Sequence, residues 1–99
     1  MSLRLSFEPA AKLEFVEAVA WYEAQRPGLG RELAAEVERV LKRARAAPEQ
    51  FRRVRCGAHK ARLDRFPYNI YFAVKGDALA VLAVFHGARD PGRLLRRLG

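Results

Sequence analysis

Apolar residues occupy every position of Ala78–Phe85, the longest uninterrupted apolar run of the chain. A strand that is apolar on both faces is typical of the interior of a sheet. The preceding run, Tyr68–Val74, is rich in aromatic and β-branched residues, and Gly76-Asp77 separates the two runs. The pattern predicts a β-hairpin with a short turn, whose second strand, Ala78–His86, lies inside the sheet.

Three other segments have weaker strand patterns. Leu3–Phe7 alternates apolar and polar residues, and Phe51–Cys56 is a weak, arginine-rich candidate for an edge strand. His59–Phe66 also alternates, with one apolar side and one polar side. Its apolar side carries Ala61 and Leu63, and its polar side carries Lys60, Arg62 and Asp64. The pattern therefore predicts a half-buried strand whose second face is basic.

The residues from Ala10 to about Gln25 have the spacing of a helix. The main apolar stripe consists of Ala11, Phe15, Ala18, Val19 and Tyr22. Further apolar positions widen it: Leu13, Val16, Ala20 and Ala24. The remaining polar face carries Glu14, Glu17 and Glu23. We therefore expect this helix to be covered on more than one face, with Trp21 and Tyr22 packed in the core or between helices.

A second helix is predicted from Arg31 to about Ala46, after a compact loop over Arg26–Gly30. Its apolar stripe consists of Leu33, Val37, Val40, Leu41 and Ala44. Pro48 follows its end. Because the connection is short, the two helices are expected to be antiparallel neighbours.

The C-terminal residues predict a short helix over Gly92–Leu98. Asp90-Pro91 precedes it as a cap and a first-turn proline. Its leucines, Leu94, Leu95 and Leu98, are expected to pack, and its arginines, Arg93, Arg96 and Arg97, to be exposed.

The order of elements is β-α-α-β-β-β-β, which predicts one α+β domain over residues 1–99. The helical pair returns the chain to its starting side and each hairpin reverses it, so the first and last strands run in the same direction. The last strand needs a neighbour on each side because both its faces are apolar. We therefore expect the first strand to pair parallel to it, in a mainly antiparallel sheet with both helices packed on one face.

Positive charge is concentrated in the second half of the chain. Residues 1–49 contain eight Lys/Arg against eight Asp/Glu, whereas residues 50–99 contain eleven against three, so the second half carries all of the net charge of +8. This one-sided distribution favours an anionic partner, either nucleic acid or an acidic protein segment. The alternative is that the charge serves solubility alone.

Other function classes have little support in the sequence. No apolar run approaches the roughly 20 residues that span a bilayer, and the N-terminus does not resemble a signal peptide, so we expect a cytoplasmic protein. The single Cys56 cannot form an internal disulfide, and with His59 and His86 it lacks the spacing of a metal site. No phosphate-binding glycine motif or catalytic triad is recognisable, and we expect neither a cofactor nor a metal.

Several segments together resemble the RelE/ParE toxin superfamily of type II toxin–antitoxin modules, whose members are often called plasmid stabilisation proteins. They are Trp21–Glu23, Pro27–Gly30, Pro48, Arg65–Phe72 and Val81–Pro91, in the order β-α-α-β-β-β-β. Phe66-Pro67-Tyr68 and His86-x-x-Arg89-Asp90-Pro91 are more similar to the ParE branch. That branch acts on DNA gyrase and has no accepted catalytic site. The resemblance thus implies a basic toxin that binds gyrase and is neutralised by an acidic antitoxin.

Two kinds of site remain open. A partner-binding surface would use the basic residues of the second half together with one aromatic residue: Lys60, Arg62, Arg65, Tyr71, Arg89, Arg93, Arg96 and Arg97. In a RelE-like mRNA endonuclease working on the ribosome, His86 would act as general acid or base and Arg89 would stabilise charge on the phosphate. The further candidates for this activity are Lys60, Arg62 and Arg65. The polar strand face offers only Asp64 as an acid, which favours binding over catalysis. A non-toxic relative that keeps the fold, and a homodimer through helix 1 or a strand edge, are further alternatives.

Overall fold

A computed structural model describes residues 2–89 and 91–98. The elements are β1 (Arg4–Phe7), α1 (Pro9–Gln25), α2 (Leu29–Ala46), β2 (Arg52–Arg53), β3 (His59–Arg62), β4 (Tyr68–Lys75), β5 (Ala78–His86) and α3 (Pro91–Leu98). Two single-turn 3₁₀ helices, Pro48–Gln50 and Arg55–Gly57, flank β2. The expected α+β order is thereby confirmed.

The five strands form one mixed sheet in the order β1-β5-β4-β3-β2. β1 pairs parallel to β5, and the other pairs are antiparallel. β4 and β5 are joined by a two-residue turn in which Gly76 has φ +63°, a left-handed conformation that glycine adopts without strain. The apolar run of β5 therefore lies inside the sheet, next to the parallel first strand, as its pattern predicts.

The continuous apolar run hides a β-bulge. Tyr71 is opposite Ala83 while the next residue, Phe72, is opposite Val81, so Leu82 is the extra residue of β5. Because of this insertion, Val81 and Val84 both pack in the core beneath the helices, whereas Ala83 packs on the opposite face. An all-apolar sequence has no alternation from which the bulge could be predicted.

The helical hairpin covers one face of the sheet and α3 covers part of the other. The main core brings α1 and α2 against the sheet, with Leu33, Val37, Ile70, Phe72 and Leu79 almost inaccessible to solvent. On the opposite face, Leu94 and Leu98 of α3 pack with Ala83, Phe85 and Tyr71. Asp90 and the side chain of Leu95, which were expected to cap and pack α3, lie outside the described residues.

Helix α2 begins at Leu29, two residues before the predicted start at Arg31. The chain reverses at Gly28 (φ +90°), and Gly30 already belongs to the helix. A Cβ on Gly30 would lie 2.5 Å from the carbonyl oxygen of Val19. Gly30 therefore serves the close approach of α1 and α2, not the loop to which the sequence pattern assigned it.

Two predicted strands are shorter than expected. β2 is limited to Arg52–Arg53, because the chain turns into the 3₁₀ helix at Arg55 and Cys56 takes a left-handed φ of +60°. β3 ends at Arg62, not at Phe66. The backbone N–H groups of Asp64 and Arg65 bond to the carboxylate of Glu36 on α2. A buried side chain thus binds the backbone where the strand was predicted to continue, so Arg65 lies in a loop and not on a strand.

The outer face of α1 is not covered. The side with Ala11 and Ala18 is buried, but Leu13, Val16 and Trp21 are 59%, 51% and 57% exposed. The prediction that more than one face is covered is wrong for these described residues, and so is the predicted burial of Trp21. Among the described residues, α2 and the sheet pack against the side of α1 that carries Ala11 and Ala18 and leave these three side chains open. Tyr22 does pack inward, with its ring centroid 5.0 Å from that of Phe66.

Candidate partner-binding surface

The register of β2, β3 and β4 builds a row of side chains on the sheet face that α3 partly covers. Arg52 is directly opposite Lys60, and Lys60 is opposite Tyr71, so the three share one face. Arg62 follows Lys60 by two residues and therefore lies on the same face. We call Arg52, Lys60, Arg62 and Tyr71 the basic strip. A shallow groove of about 260 Å³, lined by Lys60, Arg62 and Asn69 among others, runs along one end of it.

The ion pairs of the described residues join cations to carboxylates on other parts of the molecule, and none of them involves the basic strip. The ion pairs join Arg4 to Asp77, Lys75 to Glu8, Arg26 and Arg65 to Glu32, and Arg89 and Arg97 to Glu14. Among the described residues, no carboxylate lies within ion-pair distance of Arg52, Lys60 or Arg62. The strip therefore combines positive charge with one tyrosine and with open surface, as an anionic partner requires.

Tyr71 is the aromatic member of the strip. Its ring packs with the small core under α3, and burial raises the pKa of its phenol above the ordinary value, while the positive charge of Arg52 opposes that shift. Arg52, which the sequence pattern did not single out, thus acts on Tyr71 and belongs to the basic strip. Arg52 could have been found only from the pairing of β2 with β3, because its own segment is a weak strand.

Arg65 is oriented towards the helices. Its guanidinium pairs with Glu32 of α2 at 2.5 Å and stacks over the ring of Phe66 at 5.5 Å. The hydrogen bond and charge of Glu32 raise the pKa of Arg65, and those of Arg65 and Arg26 lower the pKa of Glu32. Arg65 is therefore already paired and is set apart from Lys60 and Arg62.

His86 lies in a separate cleft at the end of β5, which we call the rim cleft. It has a volume of about 350 Å³ and is lined by Glu14, Glu17, Ala18, Trp21, Tyr22, Tyr68, Val84, His86 and Arg89. The ring of Tyr68 meets His86 edge-on at 5.2 Å, and the Nδ1 atom of His86 accepts the N–H of Ala88 at 3.0 Å. Burial raises the pKa of Tyr68, with Tyr22 adding to the shift and Arg89 opposing it. His86 thus supports the turn that ends the strand.

The candidate residues of a nuclease site fall into three places. Lys60 and Arg62 are neighbours on the basic strip, Arg65 lies against α2, and His86 lies in the rim cleft beside α1. The other sequence-selected cations, Arg93 and Arg96, are exposed on α3, while Arg89 and Arg97 contact Glu14.

Within residues 2–89 and 91–98, no three His, Cys, Asp or Glu side chains are grouped so that they could hold a metal ion. Over the same ranges, no helix has the length and apolar character needed to cross a membrane.

Comparisons with known proteins bear on the fold. No family model matches the sequence, and no curated protein matches it. Among solved structures, the chain is similar to one from the chromosomal ParDE TA system of P. aeruginosa, with a TM-score of 0.72. The identity is 18%, over 86% of this chain and 96% of that chain. The fold that the resemblance to RelE/ParE toxins implies is therefore the fold of this chain.

Proposed function

We propose that this protein is the ParE-like toxin of a type II toxin–antitoxin module. It acts in the cytoplasm by binding DNA gyrase, and a cognate acidic antitoxin neutralises it. The observation that carries the proposal is the uncompensated basic strip on a fold shared with a ParDE chain. The strip and the exposed arginines of α3 together form the proposed partner-binding surface, because they lie on the same side of the sheet.

The antitoxin has two surfaces to cover. Acidic residues would pair with the basic strip, and an apolar segment would cover Leu13 and Val16 on the outer face of α1. Large apolar side chains that remain exposed on one helix face are typical of a protein–protein contact. The acidic composition expected of the antitoxin follows from the charge of +8 on this chain.

A RelE-like endoribonuclease is the second candidate. The combination of Lys60, Arg62 and Tyr71 on one open face favours RNA, since cations and an aromatic ring suit a single strand. Against it, His86 and Arg65 lie apart from that face, so general acid–base chemistry would depend on groups supplied by the ribosome. A non-toxic relative with the same fold is the remaining alternative.

A paired assay separates these functions. Purified protein is tested for inhibition of gyrase supercoiling and for mRNA cleavage on ribosomes. We expect inhibition of supercoiling without cleavage. At least about tenfold more of the double variant Lys60→Gln/Arg62→Gln should be needed for half-inhibition of supercoiling. The reason is that charges at the edge of an interface speed the encounter with a charged partner.

The control variant carries the same change of charge elsewhere. Arg39→Gln/Lys42→Gln alters two exposed cations of α2 and should inhibit gyrase as the wild type does. Clean mRNA cleavage with intact supercoiling would overturn the gyrase proposal in favour of the endonuclease. Silence in both assays, with no growth arrest on expression, would favour the non-toxic relative.

A further inference from the structure

Beyond the end of β1, one edge of β5 has no partner strand, and two side chains bind its backbone groups. β1 ends opposite Val81, so the edge of β5 beyond that residue is open on this side. The Val84 N–H donates to Oε1 of Glu14 on α1 at 2.9 Å, and the Leu82 carbonyl accepts a hydrogen bond from Arg97 on α3. The open edge of β5 around the bulge thus receives hydrogen bonds from two helices that are distant in sequence.

The two side chains are also paired with each other. Oε2 of Glu14 lies 2.5 Å from Arg97 and 3.6 Å from Arg89. Both guanidinium groups also lie over the ring of Phe85, at 4.3 Å for Arg89 and 5.4 Å for Arg97. The Glu14 side chain is only 13% exposed. One carboxylate therefore joins α1, the bulge, the rim of β5 and α3.

Helix α3 depends on such contacts. It has eight residues, and isolated helices of that length are not stable in water. Its described apolar contacts come from Leu94 and Leu98, while Arg97 provides the hydrogen bond to the bulge and the ion pair with Glu14. Charge-assisted hydrogen bonds such as these are shorter and stronger than hydrogen bonds between neutral groups.

We propose that Glu14 is a positioning residue for the C-terminal arginines. It fixes Arg89 and Arg97 and thereby orients α3, so that Arg93 and Arg96 are presented beside the basic strip as one rigid surface. The consequence for partner binding rests on the proposed function, whereas the positioning of α3 does not.

Hydrogen exchange of the intact protein tests the positioning, with Glu14→Gln and Glu17→Gln as a matched pair on one helix. A glutamine carbonyl can still accept the Val84 N–H but cannot neutralise two guanidinium groups. In Glu14→Gln we expect protection at Val84 to persist, while α3 amides exchange about tenfold faster. Glu17 is exposed and forms no ion pair among the described residues, so Glu17→Gln should exchange as the wild type does.

A double-mutant cycle identifies the partner of Glu14. Arg97→Gln should accelerate α3 exchange as Glu14→Gln does, and the double variant should add little to either, because the two changes break the same contact. Unchanged α3 exchange in Glu14→Gln would overturn the proposal. So would a uniform increase at all amides, which would indicate a global loss of stability.

Gyrase inhibition then tests the consequence. If the wild type inhibits supercoiling, Glu14→Gln should need several-fold more protein for half-inhibition. Equal inhibition by the two proteins, despite faster α3 exchange in the variant, would overturn the role in partner binding. If the wild type does not inhibit gyrase, the gyrase proposal fails, and the exchange data still decide the positioning of α3.

Discussion

Three glutamates of the helices bind backbone N–H groups of other segments. Glu14 accepts the N–H of Val84, Glu23 accepts those of Gly28 and Gly30, and Glu36 accepts those of Asp64 and Arg65. The sequence pattern assigns Glu14 and Glu23 to the polar face that remains on the first helix. That assignment describes their place on the helix but not their partners, which come from loops and strands that only the folded chain brings near.

Among these three glutamates, Glu36 is the one whose replacement tests the role of the backbone contacts in stability most directly. Its side chain is buried and anchors the loop that follows β3, so Glu36→Gln weakens two charge-assisted hydrogen bonds. We expect a loss of about 2–3 kcal/mol in the free energy of unfolding, measured by urea denaturation. The exposed Glu38→Gln on the same helix should change it by no more than about 0.5 kcal/mol. Equal effects of the two changes would contradict the anchoring role.

The two tyrosines with raised pKa values predict a loss of stability at alkaline pH. The folded phenols of Tyr68 and Tyr71 stay protonated to higher pH than unfolded ones, which ionise near pH 10. In that window the folded state binds more protons, so the free energy of unfolding falls as pH rises above about 10. A spectroscopic phenolate titration checks the shifts. Arg52→Gln should raise the pKa of Tyr71 further, and a decrease would contradict the assigned cause.

At the scale of elements, the sequence pattern correctly predicts the three α-helices and the long hairpin, but neither of the two 3₁₀ helices. It fails where an element's end depends on a partner. β3 ends early because Glu36 binds the following N–H groups, and α2 begins early because Gly30 fits against α1. The bulge at Leu82 cannot be recognised in an all-apolar run. The same is true of the hydrogen bonds that Glu14 and Arg97 make to this part of β5. Local pattern fixes the type of an element, and packing fixes its limits.

The helical hairpin provides a test of that packing. Gly30→Ala places a Cβ against the Val19 carbonyl, so the helices must separate or shift. We expect a loss of about 1–3 kcal/mol in the free energy of unfolding, even though alanine is the better helix former by about 1 kcal/mol. Thermal and urea denaturation measure the change. A stabilised variant would contradict the close approach.

At the scale of the whole molecule, two unlike surfaces are exposed. One is the basic strip on the sheet, and the other is the apolar outer face of α1. The excess of positive charge in the second half of the sequence predicts that a basic surface exists. Only the strand register shows that Arg52 belongs to this surface and that Arg65 does not. The second surface was predicted to be covered, because apolar residues on more than one side of a helix are normally buried, although a homodimer through helix 1 was left open.

Trp21 is the only tryptophan and lies exposed on α1, at the rim cleft. Because its side chain is exposed, we expect the emission spectrum of a tryptophan in water, strongly quenched by acrylamide. The spectrum should be the same at every protein concentration, because the net charge of +8 opposes association of two copies. Fluorescence across a dilution series tests this. A blue shift that grows with concentration would contradict it and indicate a homodimer through α1.

The sequence by itself determined the α+β order, the parallel pairing of the first and last strands and the excess of positive charge in the second half. Those features follow from periodicity, from strand parity and from counting charges, which need no knowledge of distant contacts. The tertiary structure decided which cations remain unpaired, where Glu14 and Glu36 bind the backbone and which face of α1 stays open. Each of these depends on residues far apart in the chain, and their approach is set by packing and register.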